Sequence, residues 1–289
     1  MIAPRVSVVI PTRNRHAQTA AAVESVLAQT LPPYDVIVVD DASDEPVALS
    51  YPGVSVLRQP ERLGAAAARN RGIDAATGAW VAFLDSDDLW LPEKLQSQLG
   101  RAAAAAALCC CNVWVVAGAG DPGRLHNNRA PSGDLSEWIL IDGNTPQTSG
   151  IVLPTAAAKA IRFDESLWRH QDWDFFLRAA AYGLPISYLA DPLVLYDDSG
   201  ARDRLSAGAN VADTLAWIER APGGALVSAR ARHELLCRYL VAPGIRTDPA
   251  KASRSLAAGL LDGRLRLLPT LRWLLRSLRQ SAARRAAAP

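Results

Sequence analysis

The sequence predicts an α/β fold built on a Rossmann-like, mixed and largely parallel sheet, followed by a helical C-terminal extension. Three observations carry that expectation. Short apolar runs of strand length, residues 36–39 and 80–84, stop abruptly at carboxylates, as strands buried on both faces do when they deliver charge at their carboxyl ends. The first such run is preceded by a strand and a helically spaced segment, a βα unit. From Ala209 onward only helical patterning remains. The chain has 289 residues, 49% of them hydrophobic, enough for one large domain and an appendage.

The first strand is expected over residues 6–10 and ends at Pro11, which lacks a backbone donor. Thr12, Arg13 and Asn14 form a polar turn. Residues 17–29 then carry helical spacing through Ala20, Val23, Val26 and Leu27. The loop after such a strand is the default ligand position in an open parallel sheet. The second buried strand ends at Asp40 and Asp41, and residues 54–58 form a short third strand. A Gly-initiated helix carrying Arg69 follows over 62–72, with Gly72 as its expected C-cap.

Residues 80–84 lead into Asp85, Asp87 and Asp88, three carboxylates in four residues. One carboxylate suffices to cap the helix that starts near Pro92, and Asp88 fits that role. The cluster suits a hard divalent cation, Mn²⁺ or Mg²⁺, held by one or two protein oxygens and the phosphates of a ligand.

A helix over 92–107 and a strand over 108–117 come next. Cys109, Cys110 and Cys111 fall in that strand, where they read as small apolar residues rather than as a zinc site or a disulfide framework. Gly118, Gly120 and Gly123 match Gly-x-Gly-x-x-Gly, but turn residues follow where a dinucleotide site needs a helix. An irregular loop or hairpin is expected instead. A polar loop from Asn144 feeds a short apolar strand. The helix after His170 buries Phe175, Phe176 and Ala179 and stops at Gly183. Asp172 and Asp174 stand at its N-terminus, where the helix dipole favours negative charge. Strands over 185–189 and 193–196 close the sheet, and helices over 211–220, 225–240 and 249–261 form the extension.

A net charge of +2 argues against a dedicated nucleic-acid binder. Three adjacent cysteines and no secretory signal pattern favour a reducing, cytoplasmic compartment. No window offers the roughly 18 consecutive apolar residues of a spanning helix.

Taken in order, the loop at Pro11–Thr12–Arg13, Asp40–Asp41, the helix segment from Ala68 to Gly72, Asp85–Ser86–Asp87 and the run Gln171–Asp172–Trp173–Asp174 resemble family 2 glycosyltransferases of the GT-A fold. The resemblance extends through about Ser206. It implies a metal-dependent, inverting transferase of hexosyltransferase type that uses a nucleotide-sugar donor, UDP- or dTDP-linked. It places Pro11, Thr12 and Arg13 against the base and ribose, although many members have Tyr where this chain has Arg13. Asp41 would accept the imide N–H of uracil or thymine, which cytosine lacks, while Asp40 reads as structural. Arg69 would reach the nucleotide, Asp85 and Ser86 would contact it, and Asp87 would bind the metal. Asp172 matches the general base that deprotonates the acceptor hydroxyl. The Glu that usually precedes it is replaced by Gln171, which removes one negative charge. A His that related enzymes often place after the last strand is absent; Asp197 or Asp198 stands there, followed by the basic stretch 202–206. The acceptor would be a glycan, lipid-linked or small-molecule hydroxyl in cell-surface glycan or glycoconjugate synthesis. Two other classes are weighed: a nucleotidyltransferase, which would want a Gly-rich phosphate loop after the first strand, and a non-catalytic nucleotide-sugar-binding protein.

The expected organisation is a transferase domain over 1–206, with a nucleotide-binding half (1–100) and an acceptor-side half (101–206), and a helical extension over 207–289. Within the extension, Leu267, Leu268, Leu271, Leu274, Leu275 and Leu278 share one helical face beyond Pro269, and Arg272, Arg276 and Arg279 share another. With Trp273 at the apolar edge, this pattern suits peripheral association with the inner face of an anionic membrane. It equally suits a helix packed on the protein, because periodicity does not distinguish lipid from protein as the apolar partner.

Overall fold

The computed structural model describes residues 4–118, 121–126, 128–199, 211–220, 222–238 and 249–261, with 267, 269–271, 273 and 274. The first half runs β1 (Val6–Thr12), α1 (His16–Leu27), β2 (Asp35–Asp40), β3 (Val54–Arg58), α2 (Ala65–Ala75) and β4 (Trp80–Phe83). These four strands are parallel: Val9 lies opposite Ile37 on one side and Phe83 on the other. The second half runs β5 (Leu89–Trp90), α3 (Lys94–Ala102), β6 (Leu108–Val116), β7 (Arg124–His126) and α4 (Leu135–Leu140). It continues through β8 (Val152–Pro154), α5 (Thr155–Ile161), α6 (Gln171–Ala181) and β9 (Ile186–Asp197). Among the described residues the helices α7 (Val211–Arg220), α8 (Pro222–Ala225), α9 (Ala229–Leu236) and α10 (Pro249–Leu261) follow.

The strands among the described residues join one sheet in the order β3-β2-β1-β4-β8-β6-β9-β5, with β7 on β6. Antiparallel β8 lies between β4 and β6 and turns the parallel sheet into a mixed one. Alternation along the strands builds two layers, because successive side chains point to opposite faces. Val8, Ile10, Val36 and Val38 meet Val23 and Val26 of α1 and Leu95 and Leu99 of α3. Val9, Ile37, Val39 and Phe83 face the opposite way, towards Ala68 and Ile73 of α2 and Phe175 and Phe176 of α6. Trp217 and Ile218 of α7 and Leu235 of α9 belong to that second cluster.

Several local expectations change. Pro11 does not end β1, which pairs with β2 through Thr12. Pro11 faces the side where β4 has already ended, so its missing N–H breaks no ladder. Gly72 is not a cap: α2 starts after Gly64 and runs on to Ala75. A Cβ at Gly72 would lie 2.3 Å from Cγ1 of Val9, so glycine here allows the helix to press onto the strand. Gly72→Ala is expected to cost about 1–3 kcal/mol by overpacking, read as a lower urea midpoint; an unchanged midpoint would contradict this contact. Helix α3 stops at Ala102, where its apolar stripe of Leu95, Leu99 and Ala102 runs out, and tightens into a 3-10 turn over Ala103–Ala105 before Ala106 turns at φ 48°. Residues 186–197 form one strand, not two. A register shift opposite Cys111 to Val113, where Asn112 Nδ2 donates to the Ala190 carbonyl over 3.0 Å, carries it past Pro192.

Other expectations hold. The Gly118–Gly123 region links β6 to antiparallel β7. All four cysteines are buried and unbridged, and burial pushes the Cys111 thiol up to about 11. Among the described residues no helix is long and apolar enough to cross a membrane. Trp273 is buried against Leu236 and Cys237, with Leu274 beside it, whereas Leu267 and Leu271 are exposed. Trp273 thus meets protein. Leu268, Arg272, Leu275, Arg276, Leu278 and Arg279 of the proposed amphipathic segment lie outside the described residues. The helix expected over 225–240 starts later: Ala225 ends α8, and α9 starts only at Ala229, where the Ser228 hydroxyl accepts from the Ala231 amide; residues 239–240 lie outside the described residues.

Candidate active site

The carboxyl ends of β1, β2 and β4 open into a cleft of about 850 Å³ that is closed on the other side by the start of α6. The residues expected to bind the nucleotide or the metal or to act as base all line it: Pro11, Thr12, Arg13, Asp41, Arg69, Asp85, Ser86, Asp87 and Asp172. Residues from both halves of the sheet therefore converge on one volume.

The β1–β2 wall is built by internal hydrogen bonds. The Thr12 hydroxyl lies 2.6 Å from that of Thr19, and the Thr12 carbonyl accepts from the Asp41 amide. Asp41 is buried. Its Oδ1 accepts from Gln59 Nε2 and the Leu63 amide, both at 2.7 Å, and its Oδ2 from the Gly64 amide at 2.9 Å. Four lone-pair sites less three bonds leave Oδ2 one acceptor position, and Asp41 lines the cleft. Asp40 is structural: it accepts from the amides of Ser43 and Val47 and from Arg58. Burial pushes its pKa up, but these donors outweigh burial and hold it below the usual range.

At the end of β4 the three carboxylates separate in role. Asp85 Oδ1 accepts from Arg69 Nη2 over 2.5 Å, and Asp87 Oδ2 pairs with Arg15 Nη1 at 2.8 Å. Asp88 is neither a helix cap nor part of the cleft; Glu93 precedes α3. Instead Asp88 is buried, accepting from the Ser149 hydroxyl at 2.6 Å and the Asp197 amide at 3.1 Å. Burial, with Asp85 and Asp87 nearby, raises its pKa well above the ordinary value. Ser149 also receives the Asp85 amide. The buried Asp88–Ser149 pair therefore braces the loop that presents Asp85 and Asp87.

Arg69 joins this motif to the base region. It is buried, and its Nη1 donates to Gln171 Oε1 at 2.7 Å while Nη2 holds Asp85. Arg69 thus ties α2 to an acid and also lines the cleft. Asp172, next to Gln171, is partly buried and accepts from the Trp173 amide. Burial pushes its pKa up to about 6, against the lowering effect of that amide and of Arg69. Asp174 points away, into a buried pairing with Arg178 and Trp217.

The sequence did not single out Arg15, Arg62, Trp168, His170 or Trp173, which also line the cleft. His170 starts α6 at φ 58° and stacks on Trp173 at 4.4 Å. Burial, aided by Arg169, lowers its pKa to about 4 and keeps it neutral. Tyr196, at the end of β9, lines the cleft, and Asp197 and Asp198 do not. Both Asp197 oxygens bond to Ser199, and Asp198 lies 4.0 Å from Arg124. Residues 202–206 lie outside the described residues.

Among the described residues no group of three or more His, Cys, Asp or Glu side chains could hold a metal by itself. Asp85 and Asp87 instead fit a hard cation that takes one or two carboxylates from the protein and its other ligands from a phosphate donor. The Arg15 guanidinium on Asp87 marks this as a place where positive charge is accepted.

The glycosyl transferase family 2 signature matches residues 7–164, more than half of the chain. The chain belongs to this family. One family relative, the amylovoran biosynthesis glycosyltransferase AmsB of Erwinia amylovora, is 31% identical over 240 residues, covering 74% of this chain and 76% of the relative. Two solved structures share the GT-A fold. S. aureus TarS 1–349 in complex with UDP-GlcNAc has a TM-score of 0.59 at 21% identity and covers 85% of this chain and 74% of its own. Mannosyltransferase PcManGT from Pyrobaculum calidifontis, in complex with GDP-Man and Mn²⁺, has a TM-score of 0.61 at 18% identity. That likeness covers 96% of this chain and 81% of the mannosyltransferase.

Proposed function

We propose that this protein transfers a sugar from a UDP- or dTDP-sugar to an acceptor hydroxyl with inversion at the anomeric carbon. The observation that carries the reading is the convergence in one cleft of Asp41, the Asp85–Asp87 pair and Asp172. The open acceptor position on Asp41 receives the imide N–H of uracil or thymine. Arg13, beside it, offers a planar guanidinium to the base. Asp87, with Asp85, would hold a divalent cation, Mn²⁺ or Mg²⁺, which would offset negative charge on the departing nucleotide. Asp172 takes the acceptor proton as that oxygen attacks the anomeric carbon and the bond to the diphosphate oxygen breaks. A single base opposite the leaving group implies one displacement and hence inversion. The UDP-GlcNAc bound by TarS supports a uridine-linked donor; the GDP-Man and Mn²⁺ bound by PcManGT support a nucleotide-sugar site with a cation, not the choice of base. The amylovoran relative supports a role in surface-glycan or glycoconjugate synthesis. Four unbridged cysteines support a reducing, cytoplasmic setting.

A base must be ionised to work. With Asp172 raised to about 6, kcat/KM should fall as pH drops through about 6 and level off above it. Gln171→Glu places a second carboxylate on Arg69 and beside Asp172, so the acid limb should move to higher pH. The variant also loses the bond from Gln171 Nε2 to the Leu167 carbonyl, so the pH profile, not stability, is the test. An acid limb that stays in place would separate Asp172 from the rate.

A further inference from the structure

Arg15 stands immediately before α1. Its carbonyl accepts from both the amide and the hydroxyl of Thr19, at 2.8 and 2.6 Å. The same hydroxyl lies 2.6 Å from that of Thr12, at the end of β1. The backbone of Arg15 is thus fixed to the floor of the cleft. Its side chain crosses from there to Asp87, with Nη1 2.8 Å from Oδ2, and both side chains are about one-fifth exposed, 23% and 18%. Arg15 and Asp87 both line the cleft.

We propose that Arg15 is a tethered counter-cation: it occupies Asp87 while the diphosphate is absent and moves to a phosphate oxygen of the donor when the donor binds. This rests on the cleft being a nucleotide-sugar site. Two positive charges sharing one carboxylate repel each other, and in a partly buried site that repulsion is weakly screened. Arg15 therefore opposes a divalent cation in the empty cleft. A diphosphate reverses the balance. It offers the guanidinium a planar, charge-assisted pairing and leaves Asp87 to the cation. One side chain thereby weakens cation binding alone and strengthens nucleotide binding alone. Cation and donor become mutually dependent, because each relieves the cost of the other.

The test is calorimetric titration of the wild-type chain, Arg15→Gln and Arg15→Lys with Mn²⁺ alone, with UDP in EDTA, and with UDP in the presence of Mn²⁺. Arg15→Gln should bind Mn²⁺ alone about five-fold more tightly and UDP alone about five-fold more weakly, the scale of one partly exposed ion pair. Arg15→Lys, which keeps the charge but not the fork, should lie between. Thermal melting of each variant separates these shifts from unfolding, which would weaken both ligands together. If Arg15→Gln leaves Mn²⁺ affinity unchanged or lowers it while wild type binds UDP with Mn²⁺, the Arg15 role is wrong and the site reading stands. If wild type binds UDP in neither condition, both are wrong.

Discussion

Asp172→Asn should retain UDP binding and fold while losing transfer by a factor on the order of 10²–10⁴, the contribution of a positioned general base. Asn keeps an oxygen that can accept from the Trp173 amide, so the start of α6 is preserved and the loss reports chemistry. The raised pKa of Asp172 fits that task, because a base near the operating pH combines ionisation with proton affinity. The burial that pushes it up comes from the same packing that sets α6 against the cleft. Single-turnover transfer measured beside UDP titration separates the two effects. Near-normal turnover in Asp172→Asn would reduce this carboxylate to a helix-start residue.

Asp87→Asn should abolish the Mn²⁺ dependence of donor binding and lower transfer by a factor on the order of 10²–10³, since a bound cation supplies several kcal/mol of charge stabilisation. Asp87 sits on a loop beyond β4 rather than in the core, and Asp88, which braces that loop, is untouched. The melting temperature should therefore stay close to wild type. UDP binding with unchanged Mn²⁺ dependence would remove Asp87 from the metal site.

The candidate site was legible in the sequence wherever one segment carried both the scaffold and the residues proposed for the chemistry. Two apolar strands ending in acids announce their own cleft, because charge cannot remain in the core. The same holds for Asp172, placed by a helix whose apolar stripe is local. What the sequence hid depends on contacts between distant segments. Arg69 is read as a helix residue near the nucleotide, but its bond to Gln171 spans 102 positions. Arg15 looks like an ordinary turn residue until the fold carries it to Asp87. Asp88 carries the same charge as its neighbours, and only the approach of Ser149 and Asp197 makes it structural. Gly72 resembles a cap because the helix boundary was set by its glycine, whereas packing against Val9 decides its role. Strand order is silent in periodicity, so the placement of β8 between β4 and β6 could not be read.

The central claim is that the cleft is a cation-assisted site for a pyrimidine nucleoside diphosphate. Its most direct test is titration of the wild-type chain with UDP, dTDP and CDP, each with and without Mn²⁺. The account predicts that UDP or dTDP binds more tightly than CDP, that Mn²⁺ strengthens this binding, and that Asp87→Asn removes the Mn²⁺ effect while Asp172→Asn leaves it intact. Absence of binding by all three nucleotides in the presence of Mn²⁺, or equal binding that Asp87→Asn does not alter, would contradict it.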